Sequence, residues 1–154
     1  MTVTTSPATF RNLTTDEMED LLRRKHVGRI AFTDGRRVDL VPISYVYNDG
    51  AIYGRAAPGT RMSALGGQPW VAFQVDEIRG PFDWESVVAK GTVYVVEPGL
   101  SPNLDERYQL ALKIIRSAMP EALTDGDPAP ARTSVFRMHI DELEGRAAGQ
   151  PAFP

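Results

Sequence analysis

The stretch VDLVPISYVYNDGAIYGRAAPGTRMSAL, residues 38–65, decides the fold of this chain. It predicts two β-strands joined by a tight turn, then a glycine-containing loop, then a short helix that starts at residues 62–65. The turn is Asn48-Asp49-Gly50, because Asn and Gly accept the positive φ that a tight hairpin requires. Apolar and aromatic residues flank this turn on both sides, so we expect an antiparallel hairpin.

The loop after the hairpin, Ala57-Pro58-Gly59-Thr60-Arg61, has the composition of an anion site. Backbone N–H groups of a glycine-containing loop that enters a helix point outward, and the helix N-terminus favours negative charge. Thr60 adds a hydroxyl donor, and Arg61 and Arg55 add guanidinium groups suited to a phosphate. The loop therefore predicts phosphate binding, with an ordinary surface turn as the alternative.

Composition narrows the class of protein. A chain of 154 residues with 42% hydrophobic and 24% charged residues is typical of one soluble domain. Its net charge of −3 gives no attraction to nucleic acid, and the absence of cysteine excludes disulfides, thiolate metal sites and thiol catalysis. Because no apolar run approaches the roughly 20 residues of a membrane span and no signal peptide is evident, we expect a cytoplasmic protein without a membrane partner.

Turn and cap signals divide the rest of the chain into short elements. Thr14 and Glu17 predict a capping box at the start of a first helix, and a second helix is expected at residues 103–119, capped by Asn103. The predicted strands are residues 28–33, 37–47, 51–56, 70–75, 84–96 and 134–143. Pro42 indicates a bend, a bulge or a ligand-facing edge, and Gly91 indicates a bend. This pattern predicts a small antiparallel β-barrel with flanking helices, between a flexible arm at residues 1–12 and an irregular tail at residues 147–154.

Five segments occur in an order that resembles a known family: VGRIAF, the stretch quoted above, WVAFQVDE, WESVVAKGTVYVVE and VFRMHIDELEGR. They look like the flavin-binding split-barrel family of pyridoxamine 5′-phosphate oxidase-like proteins, and most like its nitroimidazole-resistance-like branch. The resemblance implies a mainly β fold, a six- to seven-stranded antiparallel split β-barrel over residues 13–146. It also implies FMN as cofactor, with the deazaflavin F420 as the alternative, and a homodimer with two flavin sites at the subunit interface.

The resemblance assigns the cofactor-binding residues. Thr60 and Arg61 match the phosphate contacts of relatives, with Arg61 where the family often has Lys; an exposed arginine is the alternative. Arg55 and Ala56 end the preceding strand, and Arg55 either reaches the same phosphate or faces solvent. The segment that lies beside the flavin ring, with backbone N–H groups toward the ring edge, matches Val41, Pro42, Ile43 and Ser44. Plain core packing is the alternative for Val41 and Ile43.

Two further residues, Trp84 and Ser86, match the strand that supplies a polar contact to the flavin in relatives. Ser86 stands where oxidase members carry Gln, and Trp84 either lies near the ring or packs in the core or dimer interface. A substrate is expected over the exposed ring face, lined by Tyr45, Trp84 and residues of a second chain. The acidic residues between positions 76 and 85 are interpreted as a solvated loop and not as a metal site.

The implied function is that of an FMN-dependent oxidoreductase that transfers hydride to or from a small molecule through N5 of the flavin. No side-chain acid or base need be present in such an enzyme, because the protein supplies binding, orientation and water exclusion. Consistent with this, the sequence contains no recognisable catalytic constellation. Two alternatives use the same binding residues: a non-catalytic flavin carrier or sensor, and an F420-dependent reductase, whose longer acidic tail requires further cations.

Overall fold

The computed structural model describes residues 6–33, 35–57, 70–98 and 101–149. Within these residues the chain forms seven strands and two helices. In chain order they are β1 Thr9–Asn12, α1 Thr15–Arg24, β2 Val27–Thr33, β3 Val38–Asn48, β4 Ala51–Ala56, β5 Trp70–Gly80, β6 Asp83–Val96, α2 Pro102–Ala118 and β7 Ser134–Gly149. The short helix predicted at residues 62–65 lies outside the described residues. Neither described helix is long and apolar enough to cross a membrane.

The strands form one antiparallel sheet in the order β1-β7-β4-β3-β2-β5-β6, and a further pairing between β6 and β7 closes it. Six strands therefore make a barrel, and β1 adds to the edge of β7. Strand β7 pairs with three strands. Its first half lies between β4 and β6, and its last four residues pair with β1. The predicted mainly β split barrel is confirmed.

Two apolar clusters hold the structure together. The larger cluster fills the barrel and includes Phe73, Ile30 and Met138, and α1 adds Leu21 and Leu22 to it. The smaller cluster lies outside the barrel wall, between the buried residues of α2 and those of β3, β4 and β7. The two helices thus cover different sides of the barrel.

Two local signals of the sequence are confirmed, the capping box of α1 and the tight turn between β3 and β4. Thr14 accepts a hydrogen bond from the Glu17 N–H at 3.2 Å, and the Glu17 carboxylate accepts one from the Thr14 N–H at 3.0 Å. At the hairpin, the two positive φ values that a tight turn between twisted strands needs are those of Asp49, 46°, and Gly50, 77°. Asn48, expected to take one of them, is instead the last residue of β3. The capping box and the turn fix the start of α1 and the register of β3 on β4.

Pro42 sits in β3 opposite Arg29 of β2 without any register shift, so the predicted bulge is absent. The Tyr45 N–H donates to the His26 carbonyl on the β2 side. Because main-chain groups of a strand alternate between its two edges, those of Ser44 and Pro42 point away from β2. Pro42 therefore loses no hydrogen bond to β2, and the third interpretation of this residue, a strand edge, agrees with the structure.

Gly91, where the sequence indicated a bend, lies at a register shift of the bulge type. The register of β6 on β7 shifts between Lys90, opposite Glu142, and Gly91, opposite Ile140, which leaves Asp141 as the extra residue. A Cβ atom on Gly91 would overlap the His139 carbonyl oxygen. Only glycine fits such a close approach of two strands.

Several boundaries differ from the prediction. Residues 9–12 form β1 against Arg146 and the three residues that follow it, so neither the end of the expected flexible arm nor the start of the expected tail is irregular. Helix α2 begins at Pro102 with Ser101 as N-cap, and not at a cap on Asn103. Proline is favoured in the first turn of a helix because its missing N–H has no helical partner there. Strand β5 runs to Gly80, where the sequence indicated a loop from Asp76.

Candidate functional site

The first half of β3 has an open edge. Residues 38–44 pair with β2, but β3 pairs with β4 only from Tyr45 to Asn48. Beyond this point β4 continues along β7 up to Ala56. Within the described residues, no strand pairs with the other edge of residues 38–44. This gap is the split of the barrel, and it leaves main-chain groups of β3 without a strand partner among the described residues.

The open edge offers both kinds of hydrogen-bonding group. Ser44 contributes its N–H and its carbonyl, and Pro42 contributes a carbonyl alone. Val41 and Ile43 alternate with these residues, so their main-chain groups point to β2 and their side chains contact the barrel core. The core-packing alternative holds for both side chains, and only Pro42 and Ser44 of the four predicted residues present main-chain groups here.

The end of β4 lies beside this edge. Gly54 is the last residue paired with β3, opposite Tyr45, so Ala56 stands level with Ile43 on the neighbouring strand. Ala56 itself is buried in the barrel core. The chain leaves β4 at this point toward Thr60 and Arg61, which lie outside the described residues. The structure thus brings the start of the predicted phosphate loop close to the predicted ring segment.

Arg55 is buried, with 7% of its surface exposed, and forms a bidentate ion pair with Asp127. Its two terminal nitrogens donate to the Asp127 carboxylate at 2.6 and 3.1 Å, and one of them also donates to the Arg132 carbonyl at 3.1 Å. The solvent-facing alternative for Arg55 is therefore wrong. A phosphate contact from Arg55 stays a prediction, and the guanidinium would have to share its donors with Asp127.

Asp127 organises the segment between α2 and β7. Its carboxylate accepts hydrogen bonds from the N–H groups of Leu123 at 2.8 Å and Ala129 at 2.9 Å. The hydrogen bonds from the Arg55 guanidinium, followed by the one from the Ala129 N–H, hold the pKa of this carboxyl well below its usual range. No local pattern in the sequence shows that one aspartate of this Asp/Gly/Pro-rich segment is buried.

Trp84 and Ser86 lie away from the open edge within one chain. Both are on β6, and β2 and β5 separate β6 from β3, so the distance is about 14 Å at roughly 4.8 Å per strand. The Ser86 hydroxyl accepts a hydrogen bond from the Gln74 amide at 3.1 Å. Trp84 lies 6.3 Å from Phe10 between ring centres. Within one chain, the barrel core separates Trp84 and Ser86 from Pro42 and Ser44.

Tyr45 is fully buried, and this corrects its expected place beside a substrate. Its hydroxyl donates to the Leu22 carbonyl at 2.7 Å, and its ring meets Phe73 edge-on at 4.7 Å between centres. Burial raises the pKa of the Tyr45 phenol. Leu22 is in the last turn of α1, where carbonyl groups lack helical partners, so Tyr45 anchors the helix to the barrel.

The acidic residues between positions 76 and 85 belong to β5 and β6, and not to a long solvated loop. Arg24 of α1 contacts Glu77 at 2.6 Å and Glu85 at 3.1 Å, which ties the helix to the ends of these strands. Among the residues that the structure describes, no group of three His, Asp or Glu side chains is arranged to hold a metal ion.

Large apolar side chains on the outer face of the sheet flank the open edge. Val38 and Leu40 of β3 are 73% and 65% exposed, and Trp70 of β5 is 63% exposed. Val38 pairs with Thr33 of β2, and Phe32 of β2 pairs with the residue after Trp70. Trp70 therefore stands level with Thr33 and Val38, so the side chains of Val38, Leu40 and Trp70 share the outward face. We call Val38, Leu40 and Trp70 the outer apolar patch. Large apolar side chains that are exposed together on one face are typical of interaction sites.

A cavity of about 560 Å³ lies elsewhere, between α2 and the strands β4, β6 and β7. Its charged lining residues include Arg107 and Arg137, which the sequence reading did not single out. Arg137 lies on one face of its strand with two residues that indicate no binding role, so nothing in the sequence distinguishes it as a binding residue. The only available signal is on α2, where Leu104, Arg107 and Ala111 recur at helical spacing and so share one side of the helix.

Comparison with known proteins gives the family of this fold. A family model described as pyridoxamine 5′-phosphate oxidase matches residues 14–147. No curated protein matches the chain.

Solved structures share the fold over nearly the whole chain. An FAD-binding protein from Mesorhizobium loti is 25% identical, with a TM-score of 0.71 over 91% of this chain and 99% of that one. The FAD-binding protein from Mycobacterium smegmatis is 21% identical, with a TM-score of 0.64 over 89% and 99% of the two chains. A Bacteroides thetaiotaomicron protein with a provisional 5-nitroimidazole resistance assignment is 18% identical, with a TM-score of 0.71 over 96% and 92%. The family match spans most of the chain and confirms the predicted family: the chain belongs to the pyridoxamine 5′-phosphate oxidase family.

Proposed function

We propose that this protein is a flavin-binding oxidoreductase that holds FMN along the open edge of β3. The observation that carries this proposal is the edge itself, at Pro42 and Ser44, beside the end of β4 that leads to Thr60 and Arg61. The family match supports the proposal, as does the likeness to a protein described as FAD-binding.

The groups on this edge suit one side of a flavin ring. That side carries acceptors at O2, O4 and N5 and a donor at N3. The Ser44 N–H and hydroxyl would donate to a ring acceptor, and the Pro42 carbonyl would accept from the ring N–H. The segment thus supplies fewer main-chain donors than the sequence reading assumed, because Pro42 has no N–H and those of Val41 and Ile43 face β2.

Charge favours a ligand with one phosphate. Asp127 already neutralises Arg55, so Arg61 is the cation we assign to the phosphate end, with the Thr60 hydroxyl as a second donor. The long acidic tail of F420 would need further cations, which makes that cofactor the weaker alternative. FAD contains the FMN moiety joined to a nucleotide, so it is a further ligand for the experiment to separate.

A bound flavin would supply hydride transfer at N5. The chain itself would bind the cofactor, orient its ring and exclude water, and we assign no side chain as an acid or base. A non-catalytic flavin carrier would use the same residues. Anaerobic addition of NADH or NADPH to the flavin complex separates the two functions, because the yellow colour bleaches in the enzyme and persists in the carrier.

We also propose that the protein is a homodimer whose second chain covers the outer apolar patch. This arrangement explains why Trp84 and Ser86 lie about 14 Å from the open edge of their own chain, since a partner would bring its own copies to the site. We expect Leu40→Asp to convert the dimer to a monomer in analytical ultracentrifugation. Leu110→Asp, which changes a leucine of α2 that is 55% exposed, is the control that stays dimeric. A monomeric parent protein would contradict this part of the proposal.

The phosphate contact is tested by titrating the purified protein with FMN, FAD and F420 and following flavin fluorescence. Arg61→Ala removes a charge-assisted contact, so FMN affinity should fall about tenfold to a hundredfold. Lys113→Ala, which removes an exposed charge from α2, is the matched control and should bind FMN as the parent does. Equal FMN affinity in the parent and Arg61→Ala would remove Arg61 from the site.

The ring contact is tested with a main-chain variant. Ser44→Pro deletes the N–H on the open edge, and Ser44→Ala keeps it and deletes only the hydroxyl. Relative to Ser44→Ala, the loss of one neutral hydrogen bond should weaken FMN binding about fivefold in Ser44→Pro. An unchanged FMN affinity in a folded Ser44→Pro protein would place the ring elsewhere.

A further inference from the structure

The cavity beneath α2 has features that the flavin function does not use. Its volume of about 560 Å³ lies in the range of small-molecule sites. The predicted cofactor residues Pro42, Ser44, Trp84 and Ser86 do not line it. This inference therefore goes beyond the proposed function and does not depend on it.

The cavity exists because only the second half of α2 packs on the barrel. Ala111, Leu112, Ile114 and Ile115 are buried, whereas residues 102–110 are exposed apart from the half-buried Tyr108. The first two turns of the helix overhang the sheet and present Leu104, Arg107 and Leu110 to the space below. Apolar side chains therefore form the roof on either side of one guanidinium.

The floor is a row of three side chains on neighbouring strands. Arg137 of β7 pairs with Tyr53 of β4 on one side and with Tyr94 of β6 on the other, so the three side chains share one face. The Arg137 guanidinium carbon lies 5.9 Å from the centre of the Tyr53 ring, and its Nε donates to the Tyr53 hydroxyl at 3.2 Å. These contacts hold the guanidinium in place and leave its two terminal nitrogens for a ligand.

The charges of the cavity are not balanced internally. Neither Arg107 nor Arg137 forms an ion pair with a carboxylate in the described part of the chain, although most other arginines there do. Glu97 is the acidic residue among the described lining residues. Two cations and one anion leave a net charge of +1, which a monoanion neutralises and a dianion overcompensates. Guanidinium groups match the planar geometry of a carboxylate in particular.

We propose that this cavity binds a small monocarboxylate with an aromatic or branched apolar body. The carboxylate lies between Arg107 and Arg137, and the apolar body packs on Leu104, Leu110 and the tyrosine rings. A purely apolar ligand would leave both guanidinium groups without a partner. A free inorganic anion would leave the apolar roof without a contact.

The test uses 3-phenylpropionate, its uncharged amide and phenyl phosphate as probes, with the full chain and isothermal titration calorimetry. We expect the carboxylate to bind saturably at one site per chain. The amide should bind at least about tenfold more weakly than the carboxylate. Arg107→Gln should abolish this difference between acid and amide. Lys113→Gln, the same charge change on the exposed side of α2, should preserve it.

Several results would overturn the inference. They are equal affinities for acid and amide, an Arg107→Gln variant that binds as the parent does, tighter binding of phenyl phosphate than of the carboxylate, and no binding of any probe. Titrations are repeated with saturating FMN, and we expect the same carboxylate affinity. Displacement of the carboxylate by FMN would assign the cavity to the cofactor and would also overturn the inference. Because the first titrations contain no flavin, a protein that fails to bind FMN can still bind the carboxylate.

Discussion

Replacing Arg55 with methionine should destabilise the fold strongly. The change keeps a long apolar side chain but leaves the Asp127 carboxylate buried without its cation. Breaking a buried ion pair by removing one partner costs about 3–5 kcal/mol. We expect a loss of stability at the lower end of this range, because the N–H groups of Leu123 and Ala129 still donate to the carboxylate. For a domain of this size, 3 kcal/mol corresponds to a fall in melting temperature of about 10 °C.

Urea unfolding of the parent and Arg55→Met measures this loss as a shift of the midpoint at constant slope. Arg55→Met combined with Asp127→Asn removes both charges, so the double variant should be more stable than Arg55→Met alone. Both proteins retain α2 and its packing, which circular dichroism checks. If Arg55→Met lost less than about 1 kcal/mol, the pair would behave as a solvated surface ion pair and our account of Arg55 would be wrong.

The same pair gives a pH dependence of known sign. The pKa of Asp127 is lower in the folded protein than in the unfolded chain, where an aspartate titrates near pH 4. Its contribution to stability is therefore complete above about pH 4 and is lost as the pH falls through the folded pKa. The stability difference between the parent and Arg55→Met should shrink on acidification below pH 4. A difference that stays constant down to the acid limit of folding would contradict this linkage.

Two further predictions concern the docking of α1. Hydrogen bonds from Arg11 and then from the Thr14 N–H lower the pKa of Glu17 to about 2. Glu17→Gln should therefore lower the melting temperature, with the full effect above about pH 4.3, the pKa of a glutamate in the unfolded chain. The effect should become smaller as the pH falls toward 2. An equal effect at pH 6 and pH 2.5 would refute this. Tyr45→Phe leaves the Leu22 carbonyl without its partner and should cost about 1–3 kcal/mol in urea unfolding. A midpoint equal to that of the parent would show that water replaces the hydroxyl.

The features that the sequence predicts well are those that depend on neighbouring residues. The turn at Asp49 and Gly50 follows from which residues tolerate positive φ, and the capping box follows from a threonine and a glutamate three residues apart. Gly91 was recognised because a glycine inside a strand usually marks a close approach of backbones. Six of the seven strands follow from runs of apolar residues between such signals.

The features that the sequence misses depend on distant partners. Residues 9–12 form a strand only because the end of β7 lies beside them, more than 130 residues along the chain. The burial of Arg55 depends on Asp127, 72 residues away, and nothing near either residue shows the pairing. Tyr45 alternates with its neighbours as a strand residue should, but the alternation does not tell which face is the core. For the same reason, the family resemblance indicated the segment at residues 41–44 but not which of its residues face the open edge.

A crystal structure of the protein with FMN tests the central claim most directly. Our account predicts that the flavin ring lies along the first half of β3, within hydrogen-bonding distance of the Ser44 N–H and the Pro42 carbonyl, and that its phosphate contacts Thr60 and Arg61. A complex in which the edge of Pro42 and Ser44 is covered by protein, or in which FMN occupies the cavity beneath α2 instead, would contradict it.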